Sequence, residues 1–345
     1  MRAASTLIFQ TSGVGRQMSS ATKKRLGLLI VLAVVCAGLL LALSLRSGTS
    51  LKDTAKTAVN TITDELFSQQ SGSDIGLHNS TKKFTDPKAM RPADWIDPAE
   101  MRRAWNAAIV RVPDGDGKSV EASVYQLATG RFNFSKKQPA VIYLHGCSGF
   151  WTGTRRRVKF LADAGFVVIA PASLARKKYP QSCDVDDYQA GMYRPTLKMR
   201  QADAGYAIEQ LRKLPFVDGD RIVLMGLSQG GITAATFKAS NAQQKLRARI
   251  IEGWTCNDDW PEYNGVQAPA SEPVLALVGA DDPWYEDESN GDCERFLNPD
   301  NGSVSVVYED EPLASQHELL EYDTPKREVL KFLRRHVGVP SGDNR

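Results

Sequence analysis

The prediction of the fold starts from one stretch, residues 221–231, which read Arg-Ile-Val-Leu-Met-Gly-Leu-Ser-Gln-Gly-Gly. An apolar, β-prone run ends at Gly226, and a segment with helix-like composition begins after Ser228. Positions 226–230 match the pattern G-x-S-x-G, in which a sharp strand-to-helix turn exposes the serine hydroxyl above a sheet. Glycine on both sides of the serine permits this turn, because a Cβ there would clash. The stretch therefore predicts a nucleophile at Ser228, and an ordinary Gly/Ser turn is the alternative that the bare pattern leaves open.

Strand and helix patterns alternate on both sides of this turn. Short continuous apolar runs are typical of strands buried on both faces, and the segments between them have helical periodicity. The alternation predicts the α/β class, with a doubly wound, mostly parallel sheet and helices on both faces. The predicted strands are 108–112, 120–127, 140–144, 166–170, the run before Ser228, 249–254, 273–278 and 304–308; the predicted helices are 155–164, 197–214, 230–239 and 325–337, with turns at 114–117 and 218–220 and an irregular segment at 177–195.

The charge of the chain is unevenly distributed. The chain has 345 residues and a net charge of +3, with the charged (24%) and hydrophobic (42%) fractions of an ordinary globular protein. Seven basic residues and no acidic one precede Asp53, so subtracting them leaves a net charge of −4 for the remainder. A nucleic-acid-binding body is therefore not indicated.

The N-terminal part of the chain contains one long apolar segment. Residues 26–45 carry no charge, and about 20 helical residues span a bilayer core. The basic cluster at 23–25 precedes the segment, which predicts a cytoplasmic N-terminus and an extracytoplasmic body, periplasmic or extracellular. A cleaved signal peptide is the main alternative, although its apolar region is normally shorter. The acid-free, Arg- and Ser-rich first 25 residues also leave a transit peptide open.

Four regions follow from these patterns. We expect a basic cytoplasmic tail over 1–25, a transmembrane signal anchor over 26–45, a polar stalk over 46–94 and one α/β domain over 95–340. His78 lies in the predicted stalk, where a solvated linker histidine is expected.

Four cysteines lie outside the predicted membrane span: Cys147, Cys183, Cys256 and Cys293. In an oxidising compartment an even number permits two disulfides, with three possible connectivities. Cys256 and Cys293 follow successive predicted strands and could pair; free buried thiols are the alternative. The absence of any C-x-x-C pattern from the sequence argues against zinc or redox chemistry, and no metal or other cofactor is indicated.

A serine hydroxyl becomes nucleophilic when a histidine takes its proton and an acid orients that histidine. In an α/β sheet such groups come from loops at the carboxyl ends of strands. The predicted strand 273–278 is followed by Asp281 and Asp282, and His317 follows the last strand, in the order Ser, Asp, His. We prefer Asp282 as the acid because it lies farther along the loop, with Asp281 as the alternative.

The tetrahedral intermediate also needs backbone N–H donors for its oxyanion. The N–H of Gln229 at the start of the helix is one candidate. The second is Cys147, in the glycine-containing loop 145–149 after the strand 140–144. His145 in this loop is expected to brace the turn, and neither Cys147 nor Ser148 lies at a strand-to-helix turn suited to a nucleophile.

Several stretches give the chain a resemblance to the α/β-hydrolase superfamily and, within it, to the dienelactone hydrolase-like serine esterases. The resemblance rests on four stretches of the chain. They are the strand end and loop at 143–149 (Tyr-Leu-His-Gly-Cys-Ser-Gly), the residues that lead into the turn at 216–222 (Phe-Val-Asp-Gly-Asp-Arg-Ile), and the later loops that contain the acid and the histidine. The resemblance covers about 105–337 and implies this fold and an acyl-enzyme mechanism. Dienelactone hydrolases themselves use cysteine as nucleophile where this chain has Ser228, and their lactone substrate is not carried over.

The loops 255–271 and 284–297 contain Trp260, Tyr263, Trp284 and Tyr285 among many acids. If these rings overhang Ser228 they form a substrate cleft; the alternative is that they plug the bases of their loops. The expected activity is that of a serine hydrolase, a carboxylesterase, acting on a small-molecule or acyl-ester substrate. A peptidase or acyltransferase of the same fold, or a catalytically silent binding module, remains open, and the sequence leaves the oligomeric state undefined.

Overall fold

The computed structural model describes residues 76–115, 117–285 and 291–338. All of these residues belong to one compact unit, Phe67–Arg345. The predicted cytoplasmic tail, membrane span and most of the stalk lie outside the described residues. Within the described ranges, no helix has the length and apolar character needed to cross a bilayer.

Eight strands form one sheet, in the order β2-β1-β4-β3-β5-β6-β7-β8. Strand β1 is antiparallel to both of its neighbours, β2 and β4. The remaining pairs, β4-β3, β3-β5, β5-β6, β6-β7 and β7-β8, are all parallel. Connections that return over the sheet produce this order, which confirms the predicted doubly wound α/β architecture. The strands are β1 Ile109–Gly115, β2 Lys118–Ala122, β3 Gln138–Leu144, β4 Val167–Ala170, β5 Val217–Leu227, β6 Ala248–Glu252, β7 Val274–Gly279 and β8 Val304–Tyr308.

Helices cover both faces of the sheet. In the described ranges these are α1 Pro92–Trp95, α2 Pro98–Asn106, α3 Val124–Ala128, α4 Thr152–Asp163, α5 Thr196–Arg212, α6 Gln229–Thr236 and α7 Asp323–His336; short 3₁₀ turns lie at Pro87–Ala89, Ser173–Ala175, Ala242–Gln244, Glu294–Phe296, Pro299–Asn301 and Leu319–Glu321.

Apolar clusters fill the space between the sheet and its helices, and two of them contain residues of β3. Alternate residues of β3 point to opposite faces: Val141 belongs to the cluster that includes residues of α4 and α7, and Ile142 to the cluster that includes residues of α5. Every residue of β3 is buried. This burial on both faces explains why β3 is continuously apolar rather than alternating.

One predicted strand is partly wrong. The run 120–127 divides into β2, which ends at Ala122, and the short helix α3. Ser123 begins this helix with a capping box, in which its Oγ accepts from the N–H of Gln126 (3.2 Å) and the Gln126 side chain accepts from the N–H of Ser123 (2.8 Å). These reciprocal hydrogen bonds favour a helix start over strand continuation.

A predicted turn is also wrong. Residues 218–220 belong to β5, where Gln138 pairs with Val217 and Ala140 pairs with Ile222. Between these pairs β5 advances five residues and β3 only two, so the Asp-Gly-Asp sequence forms an irregularity within the strand. The remaining elements differ from their predicted ends by at most three residues.

The boundary predicted between stalk and domain at 94/95 differs from the structure. Residues 77–79 pair with the loop after β3: the N–H of Phe150 donates to O of Leu77 (2.7 Å), and the N–H of Asn79 donates to O of Ser148 (2.9 Å). His78 forms a β-bridge with Gly149. Residues 76–94 are therefore part of the folded body, and His78 is not a residue of a free linker.

Candidate active site

The turn between β5 and α6 holds Ser228 in a backbone conformation of φ +55°, ψ −122°. A Cβ on Gly226 would lie 2.1 Å from O of Gly230, and one on Gly230 would lie 2.1 Å from O of Leu144. Neither position accepts a side chain. The strained φ of the serine and the close backbone approach are those of a nucleophile elbow.

The loops after β7 and β8 bring an acid to a histidine. Nδ1 of His317 lies 2.7 Å from Oδ2 of Asp282. The Asp282 side chain is buried, and its Oδ1 accepts the N–H of Trp284 (3.1 Å). Asp281 is exposed, and its N–H donates to O of Ala314 (2.9 Å). Of the two adjacent aspartates, the one that contacts the histidine is therefore Asp282.

His317 is fixed on several sides. Its ring lies 5.3 Å from the Trp284 ring and 6.2 Å from the Tyr285 ring. Gly253, at φ +62°, approaches so closely that a Cβ there would lie 2.7 Å from O of His317. The Nε2 atom is buried and has no hydrogen-bond partner among the described residues. The nitrogen that would take a proton from a nucleophile is thus free to do so.

The loop 145–149 lies against the elbow. A Cβ on Gly146 would be 3.7 Å from Cβ of Ser228, and Cys147 and Gln229 line the same cavity as Ser228. Gln229 is the first residue of α6, where backbone N–H groups have no partner within the helix. Both predicted oxyanion donors therefore belong to residues beside Ser228.

His145 is enclosed beneath this loop. Nε2 accepts the N–H of Ser173 (3.2 Å), which leaves the proton on Nδ1 to be donated to O of Gly146 (2.6 Å). Burial, reinforced by the positive charge of Arg200, holds the pKa of His145 well below its usual value. A neutral, doubly hydrogen-bonded imidazole braces the loop, as expected from the sequence.

A cleft of about 550 Å³ opens at Ser228. The rings of Trp260, Tyr263, Trp284 and Tyr285 line it, so the cleft expected from the two aromatic loops is present. The structure adds two rings that sequence reasoning missed, Tyr193 and Trp254, together with the carboxyl group of Asp258. Within the described parts of the chain, no cluster of His, Cys, Asp and Glu is arranged to hold a metal ion.

The described residues contain two disulfides, Cys147–Cys183 and Cys256–Cys293, and Cys147 lines the cleft. The first joins the oxyanion loop to the segment 183–193, which we call the cover loop. Within this loop, Tyr188 packs edge-on against Trp284, with ring centroids 5.5 Å apart. The oxyanion loop and one wall of the cleft are thus covalently connected. The other disulfide, Cys256–Cys293, is the pairing that the sequence suggested.

Glu252, which forms a buried ion pair, connects Ser228 to the loop that carries His317. Glu252, at the end of β6, accepts the N–H of Ser228 on its backbone O (2.8 Å) and the N–H of Leu320 on Oε1 (2.8 Å). Arg157 of α4 donates to both carboxylate oxygens of Glu252, at 2.7 and 3.0 Å. Both side chains are fully buried. Glu252 therefore contacts the elbow through its backbone O and the loop that carries His317 through its carboxylate.

Sequence reasoning missed this pair, although one signal was present. Glu252 is the single charged residue at the carboxyl end of the apolar strand core 250–251, which is where functional groups of parallel sheets collect. Arg157 is the last of three consecutive arginines, and only the packing of α4 distinguishes it from its neighbours.

Comparisons with known proteins identify a family and several similar proteins. The family model "Dienelactone hydrolase family" matches residues 128–310. A 110-residue segment is 32% identical to dipeptidyl-peptidase 5 of Porphyromonas gingivalis, covering 30% of this chain and only 15% of the length of that relative.

Two solved structures are also similar. An esterase from the Planctomycetes species Thermogutta terrifontis, with propionate bound, gives a TM-score of 0.41 at 17% identity over 61% of this chain and 88% of its own. A dienelactone hydrolase-like promiscuous phosphotriesterase from metagenomic libraries gives a TM-score of 0.40 at 19% identity, over 66% of this chain and 98% of its own. The family match covers more than half of the chain, which therefore belongs to the dienelactone hydrolase family of the α/β-hydrolase superfamily.

Proposed function

We propose that the chain is a serine hydrolase that acts as a carboxylesterase. Ser228 attacks the acyl carbon while His317 takes its proton, and Asp282 orients the imidazole and stabilises its charged form. The N–H groups of Cys147 and Gln229 hold the oxyanion. His317 returns the proton to the leaving alcohol, and water, deprotonated by the same imidazole, then releases the acid and regenerates Ser228.

One observation carries the proposal. The imidazole of His317 is hydrogen-bonded through Nδ1 to buried Asp282, and its Nε2 has no hydrogen-bond partner among the described residues. Its ring packs against Trp284 and Tyr285, which line the cleft at Ser228. An oriented base that packs against the walls of the cleft, and a serine with a strained backbone in that cleft, are the groups that nucleophilic catalysis needs.

Labelling with a fluorophosphonate probe tests this reaction. We expect the wild type to be labelled and Ser228→Ala to remain unlabelled, with Ser148→Ala as a matched control that still reacts. Labelling that does not depend on Ser228, or no labelling of folded protein, contradicts the proposal and favours a catalytically silent binding module.

A peptidase is the second candidate, favoured by the segment similar to dipeptidyl-peptidase 5. The triad chemistry is the same for esters and amides, so substrates must decide. We expect a chain-length panel of nitrophenyl esters to be hydrolysed with a much higher kcat/KM than aminoacyl anilides. The reverse order indicates a peptidase, and transfer of the acyl group to an added alcohol in preference to water indicates an acyltransferase.

We further propose that the body acts outside the cytoplasm, anchored by residues 26–45. Two disulfides support an oxidising compartment, because such bonds are rare where thiols are kept reduced. Protease added to intact cells or spheroplasts should remove the body. A body that becomes sensitive only after lysis contradicts this topology.

A further inference from the structure

Aromatic rings dominate the walls of the cleft. Six of them line it: Tyr193, Trp254, Trp260, Tyr263, Trp284 and Tyr285. No lysine or arginine is among its described lining residues. The faces of such rings carry partial negative charge and attract cations, with tryptophan the strongest.

One carboxyl group shares these walls. Oδ1 of Asp258 accepts the backbone N–H of Trp260 (2.7 Å), which fixes the side chain next to that ring. The neighbouring Trp260 ring already lies beside one cation, since the guanidinium carbon of Arg194 is 5.1 Å from its centroid.

Arg194 does not neutralise Asp258. Its guanidinium donates to both oxygens of Glu262, at 2.6 and 2.7 Å. No cationic side chain of the described residues forms an ion pair with Asp258. Burial raises the pKa of Asp258 above its usual value, and the negative charges of Asp259 and Glu262 add to this rise, while the Trp260 N–H and Arg194 oppose it.

We infer that the cleft takes a substrate that carries a cationic group, an ester of the ammonium or quaternary ammonium class, with that group held between Asp258 and the aromatic rings. This inference rests on the proposed function for the ester bond. A partly buried carboxylate is costly unless it is paired, and a ligand cation supplies the missing partner. The same walls disfavour an anionic substrate, because its charge would meet both Asp258 and the ring faces.

Binding of a matched pair of ligands tests the inference without any turnover. Choline and 3,3-dimethylbutan-1-ol have the same shape and differ in the charge of the branched end. Three tryptophans line the cleft, so quenching of intrinsic fluorescence in the purified full-length protein reports occupancy. We expect choline to bind about tenfold more tightly than the neutral alcohol, in the wild type and in Ser228→Ala.

Two variants locate the effect. Asp258→Asn keeps an oxygen for the Trp260 N–H and removes the charge, so it should lower the affinity for choline about tenfold and leave that for the neutral alcohol unchanged. Asp259→Asn, at the exposed neighbour, should leave the tenfold preference intact. Equal binding of the two ligands by the wild type, or a preference that survives Asp258→Asn, overturns the inference.

Hydrolysis separates this inference from the proposed function. Acetylcholine should be cleaved with a higher kcat/KM than 3,3-dimethylbutyl acetate, and Asp258→Asn should remove the difference. Ser228-dependent cleavage of both esters at equal rates, together with equal binding of the two alcohols, overturns the cationic substrate and leaves the esterase intact. Absence of Ser228-dependent labelling and cleavage overturns the esterase. In that case the preference for choline over 3,3-dimethylbutan-1-ol in the fluorescence experiment still decides whether the cleft binds a cationic group.

Discussion

Ser228 has a φ of +55°, a region that side-chain-bearing residues rarely occupy and that costs about 1–3 kcal/mol. The strain is held by the backbone hydrogen bond to Glu252 and by the close packing of two glycines. The fold thus retains an unfavourable local conformation in order to direct one hydroxyl into the cleft.

The two adjacent aspartates allow a matched test at the residue scale. We expect Asp282→Asn to lower kcat on a nitrophenyl ester about 10³–10⁴-fold, because the amide favours the wrong tautomer of His317. Asp281→Asn removes a charge of the same sign from an exposed neighbour and should change kcat by no more than about twofold. Equal losses in the two variants would contradict the role of Asp282.

Glu318, next to His317, provides a pH-dependent prediction. Burial raises its pKa to about 7, with the carboxylates of Glu252 and Glu321 adding to the rise and Arg157 and Arg156 opposing it. In the unfolded chain the pKa is about 4.3. The folded state therefore binds this proton more tightly, and the stability that it contributes is fully present below about pH 4 and is lost as the pH rises through about 7.

Glu318→Gln mimics the protonated side chain. In urea unfolding, the variant should be more stable relative to the wild type at about pH 8 than at about pH 5, so the difference in the free energy of unfolding (variant minus wild type) should be larger at the higher pH. Glu309→Gln, at an exposed position, should show no such dependence. A relative stability of Glu318→Gln that does not change between these pH values would show that Glu318 is ionised in the folded protein throughout.

At the scale of elements, the two disulfides serve as controls for each other. They close loops of nearly equal length, 36 and 37 residues, so the loss of either should destabilise the chain by a similar amount, about 4 kcal/mol in the chain-entropy model. Their positions differ, because only Cys147 belongs to the loop expected to hold the oxyanion.

Replacing Cys147 and Cys183 together by alanine should therefore lower kcat about 10–100-fold, since small displacements of catalytic donors are costly. The double replacement of Cys256 and Cys293 should lower kcat much less under conditions in which both variants are folded. Equal kcat values for the two double variants would show that the disulfide at Cys147 has no effect on the position of the oxyanion loop.

At the scale of the whole molecule, the residues before α1 belong to the body. Residues 77–79 pair with the loop 148–150, and Lys82 donates from Nζ to O of Arg176 (2.6 Å). A polypeptide that begins at residue 76 should fold like the full chain. One that begins at residue 95 loses these hydrogen bonds and the packing of Leu77, and its free energy of unfolding should fall by at least about 3 kcal/mol. Urea unfolding of both polypeptides measures this, and equal stability would place 76–94 outside the folded body.

The features predicted correctly from the sequence depend on neighbours in the chain. The turn at Ser228 is recognisable because strand, glycines and helix start lie within eleven residues, and the buried strands because each is a continuous apolar run. The order Ser, Asp, His is also read from the sequence, and the catalytic roles of these residues stay a prediction. Two predicted elements were wrong for identifiable reasons. At Ser123 a local capping box begins a helix within an apolar run. At residues 218–220 a strand continues through an apparent turn, because Val217 and Ile222 on either side both pair with β3.

The α/β architecture, the turn at Ser228 and the loops that carry Asp282 and His317 could be predicted from the sequence, because strand and helix periodicity and turn chemistry are short-range properties. Four features emerged from the three-dimensional packing alone: Asp282 rather than Asp281 contacts His317, Cys147 pairs with Cys183, Arg157 and Glu252 are buried together, and Asp258 lines the aromatic cleft. Each of these depends on side chains that are distant in the chain or on the direction in which one loop residue points. The packing of the sheet and its helices sets which distant side chains meet and in which direction a loop residue points.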